Sequence, residues 1–392
     1  MVTCMTIVSG IQPSGKLHVG NYLGAVRNWL ALQAEKKNRC FFFIADWHSL
    51  TEEYDQREKA MQVRELTAEL LALGIGTPSN SPSERGGGNG NVVLFRQSDL
   101  PEHLELAWYF SCVTPVGSME RMTQYKDKVS RGESPNVGLF TYPVLMAADV
   151  LAYGRLRAAS YKLQAPTPSR SPSRREGEKE KSEIGVPVGD DQKQHLELAN
   201  DIVRRFNHRY GETFPEVTYL PAPTARVMSL KDPFHKMSKS LGGDHCLFLD
   251  DSPEEVTRKL RSAVTDTGPT QNAERRTQNA GSAQLSTRNS QLVTPTMSPG
   301  VRTLFEIFEA FGDAKTIARF RKAHDAGTIK YSELKPAVAK AFADAHAEFR
   351  TKKAELMAHP DRIDAALARG AKAARAVAGA TLEAVRAAVG IR

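Results

Sequence analysis

The sequence predicts an α/β protein: a doubly wound parallel sheet followed by an all-helical C-terminal domain. Three observations carry this. Short apolar runs alternate with helical periodicity through the first half of the chain. A Gly-rich turn follows the first apolar run and opens a helical pattern. Beyond about residue 245 the strand signals stop and only helical periodicity remains.

In order, residues 6–11 read as the first strand. Residues 20–36 read as an amphipathic helix with Tyr22, Leu23, Val26, Trp29, Leu30 and Leu32 on about one side. The run CFFFIAD at 40–46 is continuously apolar up to its last residue, as expected of a strand buried on both faces. Helical periodicity returns over 57–73, and 92–97 is another short apolar strand. Residues 141–152 form a helical pattern with an apolar face, and 186–188 read as a strand leading into a helix over 191–209. Further on, 253–264 is helical, with Glu254 and Glu255 beside the positive end of the helix dipole. Residues 301–324, 331–357 and 360–389 read as further helices. The last places Ile363, Leu367, Ala371, Ala374, Ala378, Leu382, Val385 and Val389 at three- and four-residue steps. The expected division is a catalytic domain over 1–245 and a helical domain over 246–392. Three polar stretches (79–91, 155–183 and 268–298) lack the apolar content to offset their ordering entropy and read as irregular loops.

Composition narrows the function. Hydrophobic content of 41% and charged content of 25% are those of a soluble globular protein, with no apolar run long enough to cross a bilayer. The first residues enter a strand with neither a signal peptide nor an Arg-rich transit segment. Cys4, Cys40, Cys112 and Cys246 are dispersed without a CxxC pair, which argues against structural zinc and against a disulfide framework. The net charge of +8 is a weak argument for RNA, because half of it comes from 155–183, with eight Arg/Lys against four Glu.

Two loops carry the chemistry. In the first, residues 10–21, Gly15 and Gly20 permit close approach of backbone to a nucleotide, and His18 offers a hydrogen bond to phosphate oxygen. The second is Lys236-Met237-Ser238-Lys239-Ser240, in which two ammonium groups can neutralise charge building on the β- and γ-phosphates as pyrophosphate leaves. Taken singly, each is also compatible with a tight turn or a solvated basic loop.

Together the loops resemble the HIGH-like and KMSKS-like motifs of class I aminoacyl-tRNA synthetases, which bind ATP. The resemblance narrows to tryptophanyl-tRNA synthetases of the bacterial and mitochondrial type. The stretches that carry it are GIQPSGKLHVGNYLGA, DWHSLT, ERMTQYKDK, LFTYPVLMAADVLAYG, VPVGDDQKQHLELANDIVRRFN, MSLKDPFHKMSKS and KLRSAVTDT, in family order from residue 10 to 267. The loop after Ser240, Leu-Gly-Gly-Asp, departs from the usual Asp-Pro. The forty positions separating Asp149 from Gly189 exceed the roughly dozen residues usual there, a length that a surface loop accommodates at small entropic cost.

The resemblance implies a Rossmann-like catalytic domain, a helical domain that reads the tRNA anticodon, and a homodimer. It assigns Gln12, Pro13, Ser14, Gly20, Asn21, Gly189, Asp190, Asp191, Val227 and Lys236, Met237, Ser238, Lys239 and Ser240 to ATP. His18, Lys128, Lys236 and Lys239 would act on the phosphates, with magnesium held mostly by phosphates and water. Asp149 would accept the indole N–H of tryptophan, a donor that calls for one buried acceptor in otherwise apolar surroundings. Tyr142, Met146 and His48 would line the same pocket, and Gln124 and Gln192 would hold the amino acid's polar end. The implied partners are L-tryptophan, ATP and tRNA(Trp). The implied compartment is the mitochondrial matrix for a eukaryotic gene and the cytoplasm otherwise. A tyrosyl-type synthetase and a non-catalytic RNA-binding relative are the rival readings.

Overall fold

A computed structural model describes residues 5–76, 91–132, 134–154, 183–221, 227–265 and 297–391. Except for residues 91, 183, 297 and 298, the three polar stretches lie outside them. Contacts between Cα atoms divide the chain into two compact units. One comprises Met1–Gly15, Ala25–Pro223 and Glu355–Arg392, the other Lys16–Gly24 and Thr224–Ala354.

The first unit is built on five parallel strands: β1 (Met5–Ile11), β2 (Arg39–Ile44), β3 (Val92–Arg96), β4 (Glu183–Val188) and β5 (Val217–Pro221). Their order is β3-β2-β1-β4-β5, so the winding reverses between β1 and β4. In such sheets the crevice at the carboxyl ends of the strands flanking the reversal is where ligands bind. Register places Gly10 opposite Phe43 and Ile11 opposite Ile44. The expected strands are all present. β5 was not foreseen: it is a short edge strand with one buried residue and two of its five exposed, which leaves little apolar pattern in the sequence.

The helices begin with α1 (Val19–Asn21) and α2 (Arg27–Ala34), joined by a π-helical turn over Tyr22–Val26. The continuous helix expected over 20–36 is thus three pieces. Next come α3 (Gln56–Ala72), α4 (Glu102–Ser111), α5 (Val116–Glu120), α6 (Thr123–Ser130), α7 (Val137–Leu151) and α8 (Lys193–Tyr210). In the second unit lie α9 (Pro253–Arg261), α10 (Pro299–Phe311), α11 (Ala314–Asp325), α12 (Tyr331–Ala345) and most of α13 (Ala347–Ala358). The helix expected over 301–324 is broken at Gly312 and Asp313, because the Asp313 carboxylate accepts from Thr316 N at 2.8 Å and caps a new helix. The one expected over 331–357 is broken at His346, whose ring is buried against Phe311, Phe342 and Phe349.

The last helix, α14 (Pro360–Val389), has the expected stripe buried from Ile363 to Val385. It belongs to the first unit, where Ala371, Ala374, Ala378, Leu382 and Val385 join the core formed by Phe41, Phe43, Phe95, Phe110 and Phe206. Gly370 sets how closely this helix approaches the sheet, since a Cβ there would overlap the Leu94 carbonyl of β3. In Gly370→Ala the steric conflict with backbone, about 1–3 kcal/mol, outweighs the roughly 1 kcal/mol gain in helix propensity. A lower melting temperature is the expected result; an unchanged or raised one would contradict the packing.

Burial also makes stability depend on acid. His18, His195 and His346 are each at most 6% exposed, and burial pushes the pKa of each down to about 4. In the unfolded chain they titrate near their ordinary value, so between about pH 6.5 and 4 the unfolded state binds protons that the folded state does not. Their contribution is therefore fully present above about pH 6.5 and lost as pH falls, at up to about 1.4 kcal/mol per histidine per pH unit. The urea midpoint, followed from pH 7 to 5, should decline; a flat profile would refute this.

Candidate active site

In the first unit a cavity of about 220 Å³ opens at the reversal of the sheet, between the ends of β1, β2 and β4 and the inner face of α7. All six residues assigned to tryptophan line it: His48, Gln124, Tyr142, Met146, Asp149 and Gln192. Gln12, assigned to ATP, lines it too. Gly10 forms part of the floor, and a Cβ there would collide with the Phe43 ring. Asn136 caps α7 through Leu139 N at 2.8 Å, and the helix then presents Tyr142, Met146 and Asp149 at three- and four-residue steps to one side.

Asp149 is completely buried. Its Oδ2 accepts from His48 Nε2 at 2.6 Å, and both carboxylate oxygens accept from Gln97 Nε2 at 2.8 and 2.9 Å. His103 Nδ1 lies 3.0 Å from Oδ1. Burial alone would raise the Asp149 pKa, but His48 and His103 outweigh it and hold the carboxyl below the usual range. The expectation of an acceptor in otherwise apolar surroundings is corrected here, because a buried charge needs donors around it. Gln97 and His103 were not foreseen as site residues. The available signal for Gln97 was its place directly after β3, at the carboxyl edge of the sheet.

On the opposite wall, the Tyr142 hydroxyl and His195 Nε2 share a hydrogen bond of 2.5 Å, and burial keeps the ring neutral. Burial and then the nearby Asp191 push the Tyr142 hydroxyl well above its ordinary value, so it stays protonated. Gly189 and the turn Asp190–Gln192 follow β4, with Asp190 accepting from the Tyr219 hydroxyl at 2.7 Å and Gln192 Nε2 donating to Asp191 at 2.9 Å. Gln12 and Ser14 are exposed and Pro13 is buried in the turn after β1. Lys128 lies on α6 one turn after Gln124 and is not among the cavity-lining residues.

The second unit holds the remaining assigned residues. Leu17 O accepts from Leu249 N at 3.0 Å and Val19 N donates to Leu247 O at 2.9 Å, which fixes the backbone on either side of His18. His18 Nδ1 accepts from Gly20 N at 3.0 Å, so the proton of the neutral ring resides on Nε2, leaving that nitrogen as a donor. Burial, then Lys239 and Lys236, lower the His18 pKa to about 4. Asn21 accepts from His18 N and completes the cap. In the second loop Met237 is 2% exposed and its N–H donates to Val227 O at 3.0 Å. That anchor holds Lys236, Ser238, Lys239 and Ser240 on a fixed support, with the two hydroxyls 2.8 Å apart. Two ammonium groups and an N–H donor on one buried histidine form a site for polyanionic oxygen.

A parallel sheet of this order together with such a loop is the architecture of a class I aminoacyl-tRNA synthetase. A model of the family "tRNA synthetases class I (W and Y)" matches residues 3–347, and the chain belongs to that family. Within it, the chain is 36% identical over 383 residues to tryptophan–tRNA ligase 2 of Streptomyces avermitilis, covering 96% of this chain and 94% of that protein. It is 35% identical over 389 residues to the tryptophan–tRNA ligase of Oceanobacillus iheyensis, covering 98% of both. The structure is similar to tryptophanyl-tRNA synthetase from Campylobacter jejuni complexed with ADP and tryptophan, at a TM-score of 0.72 and 28% identity, covering 98% of this chain and 100% of that one.

Proposed function

We propose that the chain is a tryptophan–tRNA ligase. The observation that carries this is the small cavity closed by a fully buried carboxylate, placed where the sheet reverses. In the first step a carboxylate oxygen of L-tryptophan attacks the α-phosphorus of ATP and the bond to the leaving pyrophosphate breaks, giving tryptophanyl-adenylate. In the second, a terminal adenosine hydroxyl of tRNA(Trp) attacks the acyl carbon and AMP leaves. Neither step needs a side-chain nucleophile, so the protein contributes positioning and charge stabilisation.

The indole N–H is assigned to Asp149, its ring to Tyr142, Met146 and His48, and the amino acid's polar groups to Gln124 and Gln192. The ATP contacts are assigned to Gln12, Pro13, Ser14, Gly20, Asn21, Gly189, Asp190, Asp191, Val227 and the loop from Lys236 to Ser240. Lys236, Lys239 and Lys128 oppose charge on the phosphates, and His18 Nε2 donates to a phosphate oxygen. The loop presents cations rather than carboxylates, which suits magnesium carried in by phosphate oxygens and water. The helices of 246–392 are assigned to anticodon binding. Tryptophan-dependent exchange of pyrophosphate into ATP, with tyrosine and phenylalanine as controls, tests the reading. A folded protein that exchanges with none of the three, or prefers tyrosine, would refute it.

A homodimer is part of the same reading. Leu50, Leu104 and Trp108 are exposed at 47%, 47% and 69%, and they line one apolar depression with Leu145 and Val144. Such a patch fits burial against a second copy. Light scattering should give twice the 43.2 kDa chain mass; a monomer at micromolar concentration would refute the dimer. Among the described residues no helix is long and apolar enough to cross a membrane. The assigned compartment follows the origin of the gene: the cytoplasm in a bacterium, the mitochondrial matrix in a eukaryote.

A further inference from the structure

Asp149 is met from three separate segments: His48 after β2 and Gln97 after β3 donate to it, and His103 Nδ1 on α4 lies 3.0 Å from Oδ1. Gln97 and His103 are both completely buried. The orientation of the Gln97 amide is set independently, because its Oε1 accepts from Trp47 N at 3.2 Å and its Nε2 must then face the carboxylate. His103 is set from behind, with its Nε2 2.7 Å from the Tyr153 hydroxyl. Burial, then Asp149 and Glu102, hold that hydroxyl well above its ordinary value, so it keeps its proton. The ring so held turns its Nδ1 toward Asp149.

A carboxylate has about four lone-pair directions; His48 takes one on Oδ2 and Gln97 Nε2 is shared between both oxygens, which leaves about one. Because Asp149 lines the cavity, that last direction belongs to the ligand. We propose that Gln97 and His103, backed by Tyr153, are positioning residues for substrate choice: they lock the Asp149 carboxylate so that one acceptor direction remains for a ring N–H donor. The proposal rests on the reading of the chain as a tryptophan ligase. A carboxylate free to turn would accept from donors at other places on a ring, whereas a locked one selects a donor at one place.

The test uses the full chain and compares tryptophan with its benzothiophene analogue, in which sulfur stands in place of the ring N–H. Pyrophosphate exchange is measured for the unaltered protein, for Gln97→Met and for Tyr153→Phe. In Gln97→Met, KM for tryptophan should rise about tenfold with kcat within about threefold, and the preference for tryptophan over the analogue should fall about tenfold. Tyr153→Phe loses one hydroxyl at nearly constant volume and should move the preference in the same direction by about threefold. A variant with an intact melting transition, lower kcat for both substrates and an unchanged preference would overturn the proposal. Should Gln97→Met fail to fold, the preference of Tyr153→Phe decides. Absence of exchange by the unaltered protein would bring down the ligase reading itself, and this proposal with it.

Discussion

Asp149→Ala should lose about 10³-fold in kcat/KM for tryptophan while KM for ATP stays within about threefold. The size follows from what the substitution leaves behind. It removes the assigned acceptor for the indole N–H, strips His48 and Gln97 of their common acceptor and takes the carboxylate away from beside His103. Buried donors without a partner cost about 1–3 kcal/mol each, and losing one side of a buried charged cluster destabilises by about 3–5 kcal/mol. Folding must therefore be followed by calorimetry beside activity. Asp149→Asn keeps the volume and one acceptor oxygen but brings an amide NH₂ among the His48 and Gln97 donors. It should melt above Asp149→Ala, since no cavity is left, and still discriminate poorly between tryptophan and phenylalanine. Tryptophan kinetics untouched by either change would remove Asp149 from the site.

The second large effect falls on the loop in the other unit. Lys236→Ala and Lys239→Ala should each lower kcat for adenylate formation about 10²–10³-fold, with KM for tryptophan nearly unchanged. The cations are assigned to charge that develops on departing pyrophosphate, so their loss raises the barrier more than it weakens ground-state binding. An independent readout exists in His18, because both lysines contribute to holding its pKa down to about 4. Removing either should let the His18 pKa rise, by a limited amount because burial is the larger cause. NMR titration of the His18 ring would report this without any substrate. A His18 pKa indifferent to both lysines, together with normal kcat, would detach the loop from the chemistry.

Much of this was legible because local signals were strong. Runs such as CFFFIAD at 40–46 leave no alternative to a strand buried on both faces, and the observed β2 spans Arg39–Ile44. Motif spacing singled out His18, Lys236 and Lys239, and the structure brings the two lysines within electrostatic reach of the histidine. Asp149 was legible as the lone carboxylate in an apolar helical stretch. Its partners were not, since Gln97 and His48 lie 52 and 101 residues away and no pattern in the sequence joins them.

The sequence by itself determined the alternation of strand and helix, the two loops assigned to phosphate and the carboxylate on α7, because periodicity, glycine spacing and charge are local properties. Tertiary structure alone decided three further matters. It set the strand order that puts the cavity between β1 and β4. It assigned α14 to the first unit, since a buried stripe on a helix says that a face is covered without saying by what. And it gathered Gln97, His48 and His103 around Asp149, because a buried charge is stabilised by whichever donors the fold delivers, however far apart they lie in the chain.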